Sequence, residues 1–192
     1  MKIGIDLDGV TARFGQAFWS HLVALHGKEH EYTDPVGWYD WPPWTADELD
    51  VGWAKFSEFP DFWMTLQEYA ESGNAIRALL AQRIHDIYYV TSRTPSAGKS
   101  VLHQTNLWLE LNGLRTGKCS VLVVDQPSEK DRIVKALGID YIIDDKLETV
   151  ERGKPAEKWW LLDRPWNRDG RSPDTKVVSS LQEWFDKIGA IK

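Results

Sequence analysis

A single cysteine among 192 residues, Cys119, excludes an internal disulfide framework and fits a reducing compartment, so the chain is expected to be cytoplasmic. No stretch reaches the roughly 18 apolar residues that a membrane span needs, and no basic segment with an apolar run behind it opens the chain. Neither export nor membrane insertion is expected. An excess of positive charge is missing too: 23 Lys and Arg stand against 29 Asp and Glu, for a formal net charge of −6. That balance disfavours binding to long nucleic acid, while leaving small anions as ligands if a metal ion supplies the positive charge. Repeats and low-complexity tracts are absent. What is present is a chain that is 42% hydrophobic and long enough for one domain with a real core plus a small inserted unit. Composition assigns it no oligomeric state.

Short apolar runs alternate with segments of helical period, which predicts an α/β fold with a mostly parallel sheet flanked by helices. Strands are expected over residues 2–5, 86–90, 120–124, 141–143 and 158–162. Helices are expected over 72–81, over 97–111 with Asn112-Gly113 as the stop, and from Ser128, with Asp131 three residues on, to Gly138. A last helix opens near Ser179, with Gln182 or Glu183 placed for a capping box. The interval 11–83 is too long for a simple crossover between the first two strands. Within it, "PVGWYDWPPWTADELDVGWAKFSEFPDFW" gathers Trp38, Trp41, Trp44, Trp53 and Trp63 among prolines and acids. The expected organisation is therefore a core of residues 1–12 and 72–192 with a tryptophan-rich cap over 13–71. The stretch "RPWNRDGRSPDT" reads as a loop.

"IGIDLDGV" sets Asp6 and Asp8 where a buried strand ends, the rim at which open α/β sheets bind ligands, and Gly9 allows a sharp departure. Alone, this is as well explained by an ordinary turn. Three further features fall at matching places. Thr91, Ser92 and Arg93 follow the apolar run "IYYV", and Asp144 and Asp145 follow "YII" as adjacent like charges that a divalent cation would relieve. Lys130 stands in the first turn of a helix, where a cation opposes the helix dipole unless it faces an anion. Other candidates are weaker. "TPSAGKS" ends like a phosphate-binding loop, but the first required glycine falls at Arg93. His21, His26, His30, His85 and His103 lack metal-ligand spacing. Asp125 sits beside Pro127 as a loop residue.

The order Asp-x-Asp-Gly-Val, Thr-Ser, Lys, Asp-Asp resembles the four motifs of the haloacid dehalogenase superfamily of phosphohydrolases, over Lys2 to about Asp145. The resemblance implies a Rossmann-like sheet, a Mg²⁺ ion and a covalent aspartyl-phosphate. In those terms Asp6 is the nucleophile, and Asp8 protonates the leaving oxygen and later takes a proton from water. Mg²⁺ is held by Asp6, Asp144 and the main-chain carbonyl of Asp8. Thr91, with Ser92 as a helper, binds a phosphoryl oxygen, and Lys130 stabilises the developing charge. Asp145 supports the site, either through a water on the metal or by holding Lys130 or the loop.

The aromatic cluster has two readings: a small unit building its own core, or rings that stack on a planar base. The short insertion and "WWLLDRPWNR" resemble the 5′(3′)-deoxyribonucleotidase family, which implies a nucleoside monophosphate as substrate, with Phe14, Phe18, Trp38 and Trp44 as candidates for base contact. A phosphatase for sugar phosphates or nucleic-acid ends is the alternative. A phosphorylation-controlled binding module is a third reading, but in receiver domains the acidic pair precedes the acceptor, and here it comes last.

Overall fold

A computed structural model of the chain describes residues 1–37 and 40–191. Its sheet has six parallel strands: β1 (Lys2–Ile5), β2 (Asp86–Ser92), β3 (Cys119–Val124), β4 (Tyr141–Asp144), β5 (Trp159–Leu162) and β6 (Val177–Val178). The spatial order is β3-β2-β1-β4-β5-β6. The chain thus starts in the middle, winds out through β2 and β3, and returns to the other side of β1. The order reverses between β1 and β4, which places a crevice at their carboxyl ends.

Helices cover both faces. On one side α3 (Ala70–Gln82), α4 (Val101–Leu111) and α7 (Leu181–Lys187) pack Ile76, Leu79, Trp108, Trp184 and Phe185 onto Ile3, Ile5, Ile87 and Tyr89. On the other, α5 (Lys130–Leu137) and α6 (Leu147–Arg152) pack Val134 and Val150 onto Val90, Ile142 and Leu161. Alternate strand residues feed the two layers, as the period of a pleated strand requires.

Between β1 and β2 lie α1 (Phe14–His26), α2 (Ala46–Phe56) and a short 3₁₀ turn, Phe62–Met64. In α1, Phe14, Phe18 and Leu22 recur at four-residue spacing and are buried together. Phe56 of α2 and Phe62 complete this aromatic packing, with ring centroids 4.5 Å apart.

Several sequence expectations shift. The helix expected from residue 97 begins at Val101, because Gly98 turns through φ +90° and the Ser100 side chain caps the helix by accepting from His103 N. The helix expected from Ser128 is preceded by a 3₁₀ turn, Pro127–Glu129, in which the Glu129 carboxylate accepts from the Asp125 and Gln126 amides. Asp131 serves instead Lys135 and the Lys154 amide. Ser180, not Ser179, caps α7. The two-residue β6 and the six-residue α6 are too short to leave a periodic trace.

Gly4 lies in register with Ile142, and a β-carbon on it would sit 2.9 Å from Ile142 Cγ1. Gly4→Ala is therefore expected to cost about 1–3 kcal/mol through overpacking. In thermal melts it should lower Tm by several degrees, while Gly117→Ala, with nothing within 4 Å of its β-carbon, should leave Tm nearly unchanged.

Candidate active site

β1 ends at Ile5, and the Asp6 amide still donates to Ile143 O of β4 at 3.0 Å, so Asp6 stands on the rim of the crevice. The chain then turns tightly. Leu7 O accepts from Val10, Thr11 and Ala12, and Gly9 takes φ +79°. Glycine is needed here for a second reason: a β-carbon at Gly9 would overlap the Asp145 carboxylate. The turn is thus an ordinary device that brings acids from two strand ends together.

Oxygens of Asp6, Asp144 and Asp145 lie within 4.8 Å of one another, and all three residues are buried. Lys130, 3% exposed, reaches into this group, with Nζ 2.7 Å from Asp144 Oδ2 and 3.0 Å from Asp6 Oδ1. Its place in the first turn of α5, unfavourable by the helix dipole, is explained by these anions. Burial alone would lower the Lys130 ammonium, but Asp144 and Asp6 outweigh that and hold it above the ordinary lysine range. One cation against three carboxylates leaves an excess of negative charge. Burial first, and then the neighbouring acids, pushes Asp6 well above the usual carboxylate range, with Lys130 opposing. Asp145 is pushed up to about 7 by burial and by Asp144.

The donor set is wholly oxygen, and Asp6 Oδ1, buried, has no hydrogen-bond partner although Lys130 is near. Hard oxygen donors carrying surplus negative charge fit a divalent cation such as Mg²⁺. Asp145 joins the two expected carboxylates, Asp6 and Asp144, in this cluster. Among the described residues this metal-capable cluster contains no histidine. Asp145 is held by residues that sequence reasoning left in a loop. Trp166 Nε1 donates to Asp145 Oδ2 at 2.8 Å, and the buried Asn167 donates to Asp145 O at 2.6 Å. Arg164 donates to Gly9 O at 2.6 Å and lies over the Tyr69 ring.

At the end of β2, Thr91 is fully buried and its hydroxyl donates to Asp8 Oδ2 at 3.2 Å. The Ser92 hydroxyl is turned to Asp125 O, at 3.4 Å. Arg93 was missed as a site residue. Its Nε and Nη2 donate to the two Asp8 oxygens, both at 2.8 Å. A charged residue behind a strand ordinarily goes to water, so the sequence carries no specific signal for this contact.

These groups open on a cavity of about 370 Å³, lined by Asp6, Asp8, Thr91, Ser92, Lys130, Asp144 and Asp145, and on another wall by Phe14, Trp53 and Trp63. Phe14 stacks with both tryptophans, at 5.9 and 5.7 Å between centroids. Asp125, set aside on sequence grounds, also lines it. Of the aromatic candidates among the described residues, Phe14 lines the cavity and Phe18 and Trp44 do not. Phe18 is 0% exposed and stacks behind Trp53, because it lies one turn further along the buried face of α1. Trp44 packs against Trp19, His26 and His30, in the interior of the inserted segment. Trp38 lies outside the described residues.

A carboxyl raised from its ordinary 3.8 to about 7 in the folded chain keeps its proton longer folded than unfolded, so its contribution to stability falls as pH climbs through that window. In cation-free protein, Asp145→Asn is expected to raise Tm at about pH 8, with the gain shrinking toward about pH 4. Mg²⁺ should then stabilise the parent more than the variant, as read by thermal melts.

No family model matches the chain. A candidate nucleotidase of Oceanobacillus iheyensis is 32% identical over 105 residues, which make up 53% of this chain and 50% of that relative. The match therefore spans half the relative's length. Solved structures resemble the whole chain at low identity. A haloacid dehalogenase-family hydrolase of Deinococcus radiodurans R1, solved with bound phosphate and sodium, has a TM-score of 0.57 at 17% identity, covering 100% of this chain and 97% of its own. A candidate β-phosphoglucomutase of Thermotoga maritima scores 0.58 at 12% identity, covering 100% and 99%. An L-2-haloacid dehalogenase scores 0.57 at 11%, covering 97% and 98%. No helix among the described residues is long and apolar enough to cross a membrane. The motif order in the sequence and the architecture shared with these enzymes agree: the chain has the fold of the haloacid dehalogenase superfamily.

Proposed function

We propose that the chain is a Mg²⁺-dependent phosphomonoesterase that works through an aspartyl-phosphate on Asp6, with nucleoside monophosphates, deoxy or ribo, as substrates. The observation that carries the reading is the placement of Asp6 beside Lys130, Asp144 and Asp145 in the same cavity as Phe14, Trp53 and Trp63. The candidate nucleotidase name of the O. iheyensis relative favours the same substrate class. Residues 13–71 act in this reading as the cap that supplies the aromatic wall.

Asp6, Asp144 and Asp145 would hold Mg²⁺, with the Asp8 main-chain carbonyl as a further donor. The ion would supply positive charge against the phosphate and let two anions meet. An Asp6 carboxylate oxygen attacks phosphorus, and the bond from phosphorus to the ester oxygen breaks. Asp8 delivers the proton that the leaving oxygen takes up, and then removes one from water. That water attacks phosphorus, the bond to Asp6 breaks, and inorganic phosphate leaves with the carboxylate restored. Lys130 steadies Asp6 and the charge on the transferring group. The hydroxyls of Thr91, which donates to Asp8, and of Ser92 bind phosphoryl oxygens in this reading. The base stacks on Trp53, half-buried on the aromatic wall beside Phe14, whereas Phe18 and Trp44 do not line this cavity.

Phosphate release from nucleoside monophosphates in Mg²⁺ tests the reading. Asp6→Asn should abolish it, and Asp8→Asn should lower kcat by about 10²–10⁴. Steady phosphorylation without turnover would favour a phosphorylation-controlled module instead. For the base, Trp53→Ala should lower kcat/KM on nucleotides by about 5- to 150-fold, the worth of one stacked base, while sparing sugar phosphates. Equal kcat/KM for nucleotides and sugar phosphates in the parent would overturn the nucleotide assignment and leave the phosphatase reading standing.

A further inference from the structure

Arg93 is a large cation with 0% of its side chain exposed, and its one ion-pair partner among the described residues is Asp8. Burying a guanidinium is costly unless every donor is used, and an apolar side chain of similar size would pack the same space at lower cost. Here the donors are used in a directed way. Nε and Nη2 take both oxygens of Asp8, and Nη1 donates to Thr105 Oγ1 at 2.9 Å. The Thr105 hydroxyl in turn donates to Val101 O within α4, which fixes its lone pair toward Arg93. The guanidinium lies over the Trp63 ring, 4.6 Å from its centroid. Trp63 is itself pinned, its Nε1 donating to Thr94 O and its amide to the Gln104 side chain.

We propose, resting on the phosphatase reading above, that Arg93 is a positioning residue. Its planar fork fixes the Asp8 carboxyl in the one orientation from which a proton reaches the leaving oxygen, and it ties that orientation to the aromatic wall through Trp63. A two-point hold of this kind sets the plane of a carboxyl group; a lysine would supply charge at one point and leave the plane free to rotate. Since a proton transfer of this kind depends on close alignment, loss of the fork should fall on the step that needs the proton and not on phosphoryl transfer in general.

Two substrates of similar size separate these cases. An alkyl phosphate needs a proton on its departing oxygen, whereas 4-nitrophenyl phosphate releases a stable anion. With Mg²⁺ present, Arg93→Lys is expected to lower kcat/KM on the alkyl ester by about tenfold or more beyond its effect on the nitrophenyl ester. Thr105→Val, which keeps the ion pair and removes its anchor, should shift the ratio the same way by less. In Arg93→Ala, added guanidinium ion should restore the alkyl activity and ammonium ion should not. Equal losses on both esters in Arg93→Lys and Thr105→Val would overturn the proposal and leave Arg93 a packing residue. Failure of the underlying reading looks different: Asp6→Asn would then keep its activity on 4-nitrophenyl phosphate.

Discussion

Everything in the site depends on an imbalance of buried charge at the rim of the sheet. Three carboxylates from two strand ends converge on one lysine, away from water, and Lys130 cannot neutralise them alone. Left to itself such a group takes up protons, which is the direction in which Asp6 and Asp145 are shifted. A divalent cation removes the conflict by another route. The fold supplies the constraint that makes the conflict unavoidable, because β1 and β4 are neighbours in register and their carboxyl ends open into the same crevice.

The remainder of the structure reads as the means of holding that arrangement. Gly9 lets the first loop approach Asp145. Trp166, Asn167 and Arg164, from the segment after β5, fasten Asp145 and the Gly9 carbonyl. On the opposite side Arg93 and Thr91 hold Asp8 apart from the acid cluster, so that two carboxylates only two residues apart have different partners. In the proposed mechanism, these two environments let one loop support both attack and proton transfer. The inserted aromatic segment closes one wall of the cavity, and its own core is continuous with that of the sheet.

Much of this was legible in the sequence because strands buried on both faces write themselves as apolar runs with the acids and hydroxyls directly behind them, and because Lys130 stands at a helix start that disfavours a cation. Asp6, Asp8, Thr91, Asp144 and Lys130 could be named for that reason. Arg93 could not, since a charged residue behind a strand ordinarily goes to water, and only the tertiary position of Thr105 and Trp63 shows that this one does not. Trp166 sits in a segment with every mark of a loop and acts through a contact 21 residues away in sequence. Phe14 and Phe18 share one helix face; which of them meets the cavity and which the interior is decided by where α1 sits, and no periodicity carries that. β6 is written by its bonds to β5, through Leu161 N and Asp163 N, and not by its two residues.

In the proposed reaction Asp6 is the nucleophile, whose carboxylate oxygen accepts the phosphoryl group and holds it covalently. Acid quenching of the full chain during turnover of a nucleoside monophosphate with Mg²⁺, followed by peptide mass analysis, tests this role most directly. The account predicts one added phosphoryl group on Asp6, labile to base, as acyl phosphates are. A phosphoryl group on any other residue, or phosphate release with none trapped at any time of quenching, would contradict it.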